Sequence, residues 1–148
     1  MSLILFDGNL FDSTAPALGH GVNVYGVMGA GIAVEFRRRY PDMYESYKAH
    51  CAAKILVPGK VFYWDELGLP AVYNMASQDA PGANATLEWL ESALDRSLGH
   101  AEKVGHERIA LPRIGCGIGG LVWEDVGPLY EARSTAHGID IEVWTYKP

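Results

Sequence analysis

Two glycine-rich stretches carry the clearest chemistry in this sequence. "GVMGAGIA" runs from Gly26 to Ala33 and feeds directly into "VEFRRRY"; "GCGIGG" runs from Gly115 to Gly120 ahead of a second long segment. The first turn of a helix presents N–H groups with no intrahelical partner and the positive end of the helix dipole. Glycines in front of it let the backbone reach positive φ and approach a ligand closely. Together these features make an anion cradle. Gly26, Gly29 and Gly31 fit one ahead of the first helix, and Gly115, Gly117, Gly119 and Gly120 fit one ahead of the last. Tight turns account equally well for either loop alone. Two loops at equivalent places favour a ligand with a pyrophosphate gripped from both sides.

Titratable groups near these loops are few. His20 can act as a general acid or base near neutral pH, or it is a partly buried strand histidine that orders the loop. Asp79, in "SQDAPG", can position a water or take a proton; equally it is a turn aspartate ahead of Pro81 and Gly82. Cys116 lies inside the second loop, where a helix N-terminus can lower a thiol pKa, but it is read as a small loop residue. His50, His100, His106 and His137 show no metal-ligand spacing and no HExxH occurs, so no metal site is expected. No GxxxxGK[ST] is present, which excludes a P-loop. Gly115, Gly117 and Gly120 match GxGxxG with Asp140 at the acidic position, but too little chain follows to build a dinucleotide fold.

The chain has 148 residues, 49% apolar and 20% charged, with a formal net charge of -6. That is a soluble globular composition, read as one domain over residues 1–148. Only Arg37, Arg38 and Arg39 form a basic run, read as a solvated helix face, so direct nucleic-acid binding is not expected. A phosphate ligand is expected to be held by backbone N–H groups, not by a lysine cluster. "MSLILFDGNL" has no basic n-region, no run reaches transmembrane length, and Cys51 and Cys116 form no disulfide framework. These features point to a reducing cytoplasm with no membrane association, and a monomer is expected.

The elements that must position the loops follow from periodicity and breakers. "LILF" reads as a short buried strand closed by "DGN", and "ALGHGVNVY" as a glycine-interrupted strand. A helix is expected from about Gly31 to Tyr40, with Pro41 starting a second over "DMYESYKAHC". "KVFYWD" and "AVYNMA" are β-rich. From Ala85 to Val104, Leu87, Leu90, Leu94, Leu98 and Ala101 trace one buried stripe. "RIALPRI" is a strand, a helix spans about Trp123 to His137, and "IDIEVWTY" closes the chain. Alternating strands and helices imply an α/β layered domain with a largely parallel sheet, its ligand edge at the carboxyl ends of the strands.

"HGVNVYGVMGAGIAVEFRRRYPDMYESY" together with "LPRIGCGIGGLVWEDV" resembles the macro domain family, in the same order and over nearly the whole chain. The look is nearest to the branch holding small ADP-ribosyl hydrolases and ADP-ribose 1''-phosphate phosphatases. The resemblance implies a three-layer α/β/α sandwich around a mixed, mostly parallel sheet of about six strands. It implies ADP-ribose as ligand, free or on a macromolecule, and no cofactor. Asn9 takes the place of an acidic residue that contacts the adenine amine, with Asp7 as a neighbouring substitute and Leu10 beside it. Gly26, Val27, Met28, Gly29, Ala30, Gly31 and Ile32 would lie against the distal ribose and pyrophosphate. Pro112, Ile114, Gly115, Cys116, Gly117, Ile118, Gly119 and Gly120 would close over the pyrophosphate from the other side. Asn23 matches an asparagine that hydrogen-bonds the distal ribose, and Tyr146 can stack on adenine or stand exposed at the chain end.

Binding and catalysis separate at this point. Relatives that cleave ADP-ribose from protein or DNA carry a lysine where this chain offers Ser77 and Gln78, and some carry an aspartate where it has Gly119. That argues against a lysine-dependent mechanism. His20 matches a histidine of phosphatase-type relatives, and with Asp79 it makes a pair for hydrolysing a phosphomonoester or ester on the distal ribose, Asn23 positioning it. Two readings stand: a hydrolase acting on ADP-ribose 1''-phosphate, an O-acyl-ADP-ribose or an ADP-ribosylated target, and a non-catalytic ADP-ribose-binding module. The absent lysine favours the second. His20, Asn23 and the expectation of a stand-alone domain narrowly favour the first.

Overall fold

The computed structural model describes residues 3–146. The strands are β1 (Leu3–Asp7), β2 (Ala17–Val22), β3 (Val61–Trp64), β4 (Ala71–Ala76), β5 (Arg108–Leu111) and β6 (Asp140–Thr145). The helices are α1 (Ile32–Arg39), α2 (Pro41–Ala52), α3 (Leu87–Val104) and α4 (Trp123–His137). The strands form one sheet in the order β1-β6-β5-β2-β4-β3. Only β3, against β4, runs antiparallel. The result is the three-layer, mixed α/β/α arrangement expected from the sequence.

Local chemistry sets the helix limits. Pro41 occupies the first turn of α2, where its missing N–H costs nothing, so α1 stops at Arg39 and the chain turns at Tyr40. Thr86 caps α3 by accepting from Trp89 N at 3.1 Å, and Gly105 ends it in the left-handed region with φ +86°. Leu90, Leu94, Leu98 and Ala101 form the buried stripe of α3. Leu87 departs from that expectation: it sits in the first turn, on the open edge of the α3–α4 packing, and is exposed.

Period-two alternation splits the core. Ala17, Tyr73, Met75, Ile109, Leu111, Ile141 and Val143 face α3 and α4. Leu18, Val22, Val72, Ala76 and Ala110 face α1 and α2. Strand β1 corrects the expectation of a buried run. It is an edge strand flanked only by β6, its Leu3 alone packs on the α3/α4 core, and Leu5 is 64% exposed. Among the described residues, no helix is long and apolar enough to cross a membrane.

Candidate functional site

A cleft of about 520 Å³ opens at the carboxyl ends of β2, β4 and β5. Its floor includes Gly21, Val22 and Asn23. One wall is the first glycine loop with the start of α1, and the other is Pro112–Ile114 with the second glycine loop. Ser77, Gln78, Pro81 and Gly82 close a third side. The two loops approach each other at the mouth: a Cβ on Gly31 would lie 3.9 Å from Ile118 Cδ1.

Both loops place bare backbone on the cleft, by different means. Gly31 is the N-cap of α1 with φ +61° and ψ -149°, a conformation essentially reserved for glycine. No side chain caps this helix, and Ile32 and Ala33 line the cleft, so the uncapped end of α1 faces it. The second loop departs from expectation. Helix α4 begins only at Trp123, and its first turn does not line the cleft, so this loop offers its own backbone and not a helix end. It is tightly folded: a Cβ on Gly119 would meet Gly115 Cα and O at 2.9 Å and Ala85 Cβ at 3.0 Å.

Two buried tyrosines from opposite helix layers hold the loop origins. From α2, Tyr47 donates its hydroxyl to Asn23 O at 2.7 Å and lies 3.1 Å from Asn23 Oδ1. From α4, Tyr130 donates to Pro112 O at 2.7 Å and accepts from Ile114 N at 2.9 Å. Burial pushes both hydroxyls well above the usual tyrosine range, so they remain donors. Asn23 braces the first loop further: its Oδ1 accepts from Tyr25 N and its Nδ2 donates to Val27 O, both at 2.9 Å.

Of the residues expected in the site, the cleft gathers Asn23, Val27, Gly29, Ala30, Gly31, Ile32, Ser77, Gln78, Pro112, Ile114, Gly115, Gly117, Ile118 and Gly119. His20 is not among them. Its ring is fully buried on the α1/α2 face, stacked on Phe36 at 3.9 Å, with Nε2 2.7 Å from Asn74 Oδ1. Burial, only partly offset by the Asn74 hydrogen bond, lowers its pKa to about 4. His20 is directed into the α1/α2 core against Phe36 and Asn74 and does not line the cleft, which corrects the expectation of a general acid or base there. Asp79 is exposed on the loop after β4 and does not line the cleft.

The remaining expected contacts also stand back from the cleft. Leu10 and Met28 are core residues, 2% and 1% exposed, and Gly26 packs on Lys48. Gly120 packs on Ala83 outside the lining. Cys116 directs Sγ towards Ile114 O at 3.6 Å, and burial pushes its thiol up despite nearby Arg113, so it is not an activated nucleophile. Asp7 and Asn9 lie at the end of β1, where Asn9 Oδ1 accepts from Phe11 N, and Tyr146 is 71% exposed beyond β6.

Sequence reasoning missed Gly21, Val22, Ala33, Pro81, Gly82 and Arg113. Gly21 had a usable signal. Two glycines spaced by two in a strand share one face, and a Cβ on Gly21 would meet Ser77 Oγ and Ile114 Cγ2 at 2.6 Å. The tyrosine braces had none. The basic run is committed locally: Arg37 and Arg39 lie over Tyr44 and Phe11, and Arg38 pairs with Glu35. Among the described residues, no three His, Cys, Asp or Glu side chains converge as metal ligands.

This cleft, between two glycine loops on a six-stranded α/β/α sandwich, defines a class. The Macro domain model matches residues 20–130, and the chain belongs to that family. A DNA ADP-ribosyl glycohydrolase of Thermus aquaticus is 33% identical over 145 residues, covering 95% of this chain and 40% of the relative. The chain thus spans about two fifths of that protein. The macrodomain of Mycobacterium tuberculosis DarG superposes with a TM-score of 0.90 at 28% identity, covering 97% of each chain. Thermosipho africanus DarTG in complex with ADP-ribose superposes with a TM-score of 0.89 at 27% identity, covering 98% of this chain and 42% of that one.

Proposed function

We propose that the cleft binds ADP-ribose, or a derivative substituted on its distal ribose, and that the protein hydrolyses that substituent. The observation that carries this reading is the meeting of two glycine loops over the ends of β2 and β5, one of them ending in the uncapped N-terminus of α1. The pyrophosphate lies between the loops and the distal ribose on the side of Asn23 and Ser77. The nucleoside half runs towards β6 and β1, where Asp7, Asn9 and Tyr146 are the candidate adenine contacts. The solved relative with ADP-ribose supports the ligand, and the glycohydrolase relative supports hydrolysis. Candidate substrates are ADP-ribose 1''-phosphate, an O-acyl-ADP-ribose and an ADP-ribosylated macromolecule.

Among the described residues that line the cleft, Arg113 is the only one with an ionisable side chain. Hydrolysis there relies on fixed N–H donors and on positioning by Asn23, with water as the nucleophile. The same feature favours the second reading, a binding module without catalysis. Free Cys51 and Cys116 fit a reducing compartment.

Calorimetric titration with ADP-ribose, ADP and AMP tests the ligand. Binding that requires the distal ribose supports the reading; a folded protein that ignores ADP-ribose ends it. Product release from ADP-ribose 1''-phosphate and from ADP-ribosylated DNA then separates hydrolase from binder.

A further inference from the structure

We infer that Arg113 determines recognition of the nucleoside half of the ligand, its guanidinium gripping the phosphate on the nucleoside side of the pyrophosphate. The inference rests on the cleft being a diphosphate site. Backbone N–H groups supply only partial charges, and among the described residues that line the cleft Arg113 alone carries a formal positive charge.

The side chain is held in place before any ligand arrives. Its Nε donates to Thr145 Oγ1 at 3.1 Å, and its guanidinium carbon lies 4.7 Å from the centroid of the Trp123 ring. Among the described residues, neither terminal nitrogen has a protein partner, so the open end of the fork is available. A planar guanidinium fork matches two phosphate oxygens, and anchoring it at Nε and on a ring face reduces the entropy lost on binding.

Position assigns the half of the ligand. Thr145 ends β6, which lies on the far side of β5 from β2. Strands are about 4.8 Å apart, so the anchor stands roughly 10 Å from β2, the strand that leads into Asn23. A ligand with its distal ribose at Asn23 and its pyrophosphate between the loops presents its nucleoside-side phosphate to Arg113.

The test titrates the wild-type chain, Arg113→Ala, Arg113→Lys and Thr145→Val with ADP-ribose, AMP and ribose 5-phosphate at two salt concentrations. A charge-assisted contact predicts that Arg113→Ala weakens ADP-ribose and AMP about tenfold to a hundredfold and leaves ribose 5-phosphate within about twofold. Arg113→Lys, which keeps the charge and loses the fork, falls between, and Thr145→Val shows a smaller loss of the same pattern. The salt dependence of ADP-ribose binding becomes shallower in Arg113→Ala. Unchanged ADP-ribose affinity in Arg113→Ala, or an equal loss of both half-ligands, overturns the inference while the diphosphate site stands. A folded wild-type chain that binds no ADP-ribose overturns both.

Discussion

Tyr130→Phe should loosen the second glycine loop without disturbing the core around it. The hydroxyl is fully buried and makes two hydrogen bonds, to Pro112 O at 2.7 Å and from Ile114 N at 2.9 Å. The ring packs edge-on against Trp123 at 5.5 Å, and phenylalanine keeps that contact. Removing the oxygen leaves a buried N–H and a buried carbonyl short of one partner. They retain a bond to each other, because Ile114 N also donates to Pro112 O at 3.0 Å. The loss is therefore that of one under-satisfied buried pair, about 2 kcal/mol. For a domain of this size, that lowers Tm by about 4–8 °C. Calorimetry and urea unfolding measure the stability change. Hydrogen exchange at the Ile114 amide measures its location, and should speed up by more than exchange at the central amides of α3. The folded variant should also bind ADP-ribose several-fold more weakly, because the loop origin has lost its clamp. A Tm within about 1 °C of wild type, with unchanged exchange at Ile114, would refute the brace.

Three other outcomes follow from the same geometry. Gly119→Ala forces a Cβ to 2.9 Å from Gly115 backbone atoms, so it should cost about 1–3 kcal/mol and at least tenfold in ADP-ribose affinity; wild-type affinity by calorimetry would show that the second loop is not close-packed. His20, with its folded pKa lowered from 6.5 to about 4, favours the unfolded state as pH falls, because only the unfolded chain takes up the proton readily. Stability from this group is full above 6.5 and declines by about 3 kcal/mol as pH drops to about 4. His20→Gln should flatten that slope in urea unfolding while ADP-ribose binding at neutral pH persists; an unchanged slope, or lost binding by a folded variant, would count against the buried role. His137 behaves in the opposite sense. Burial lowers its pKa, but hydrogen bonds to Asp95 and Glu102 outweigh this and raise it. Its contribution is full below the unfolded value of 6.5 and disappears as pH rises through the folded pKa, so the stability gap to His137→Ala should shrink from mildly acidic to alkaline pH.

What the sequence determined by itself was local. Pro41 stops α1, the 3-and-4 spacing of Leu90, Leu94 and Leu98 writes α3, and the glycine clusters mark where strands release the chain towards the site. These signals survive because each acts through a few neighbouring dihedrals. The two glycine walls of the cleft were legible for the same reason. Tertiary structure decided the direction of each side chain and its neighbours. His20 belongs to the α1/α2 core because β2 is central and Phe36 packs over that face. Leu5 is exposed because β1 ended at the sheet edge, a fact of strand order that no local pattern carries. Tyr47, Tyr130 and Arg113 gain their roles from partners far along the chain, at Asn23, Pro112 and Thr145. Such contacts exist only once the sheet has paired and the helices have packed, because the hydrogen bonds that define them are short and directional while the sequence separations are long.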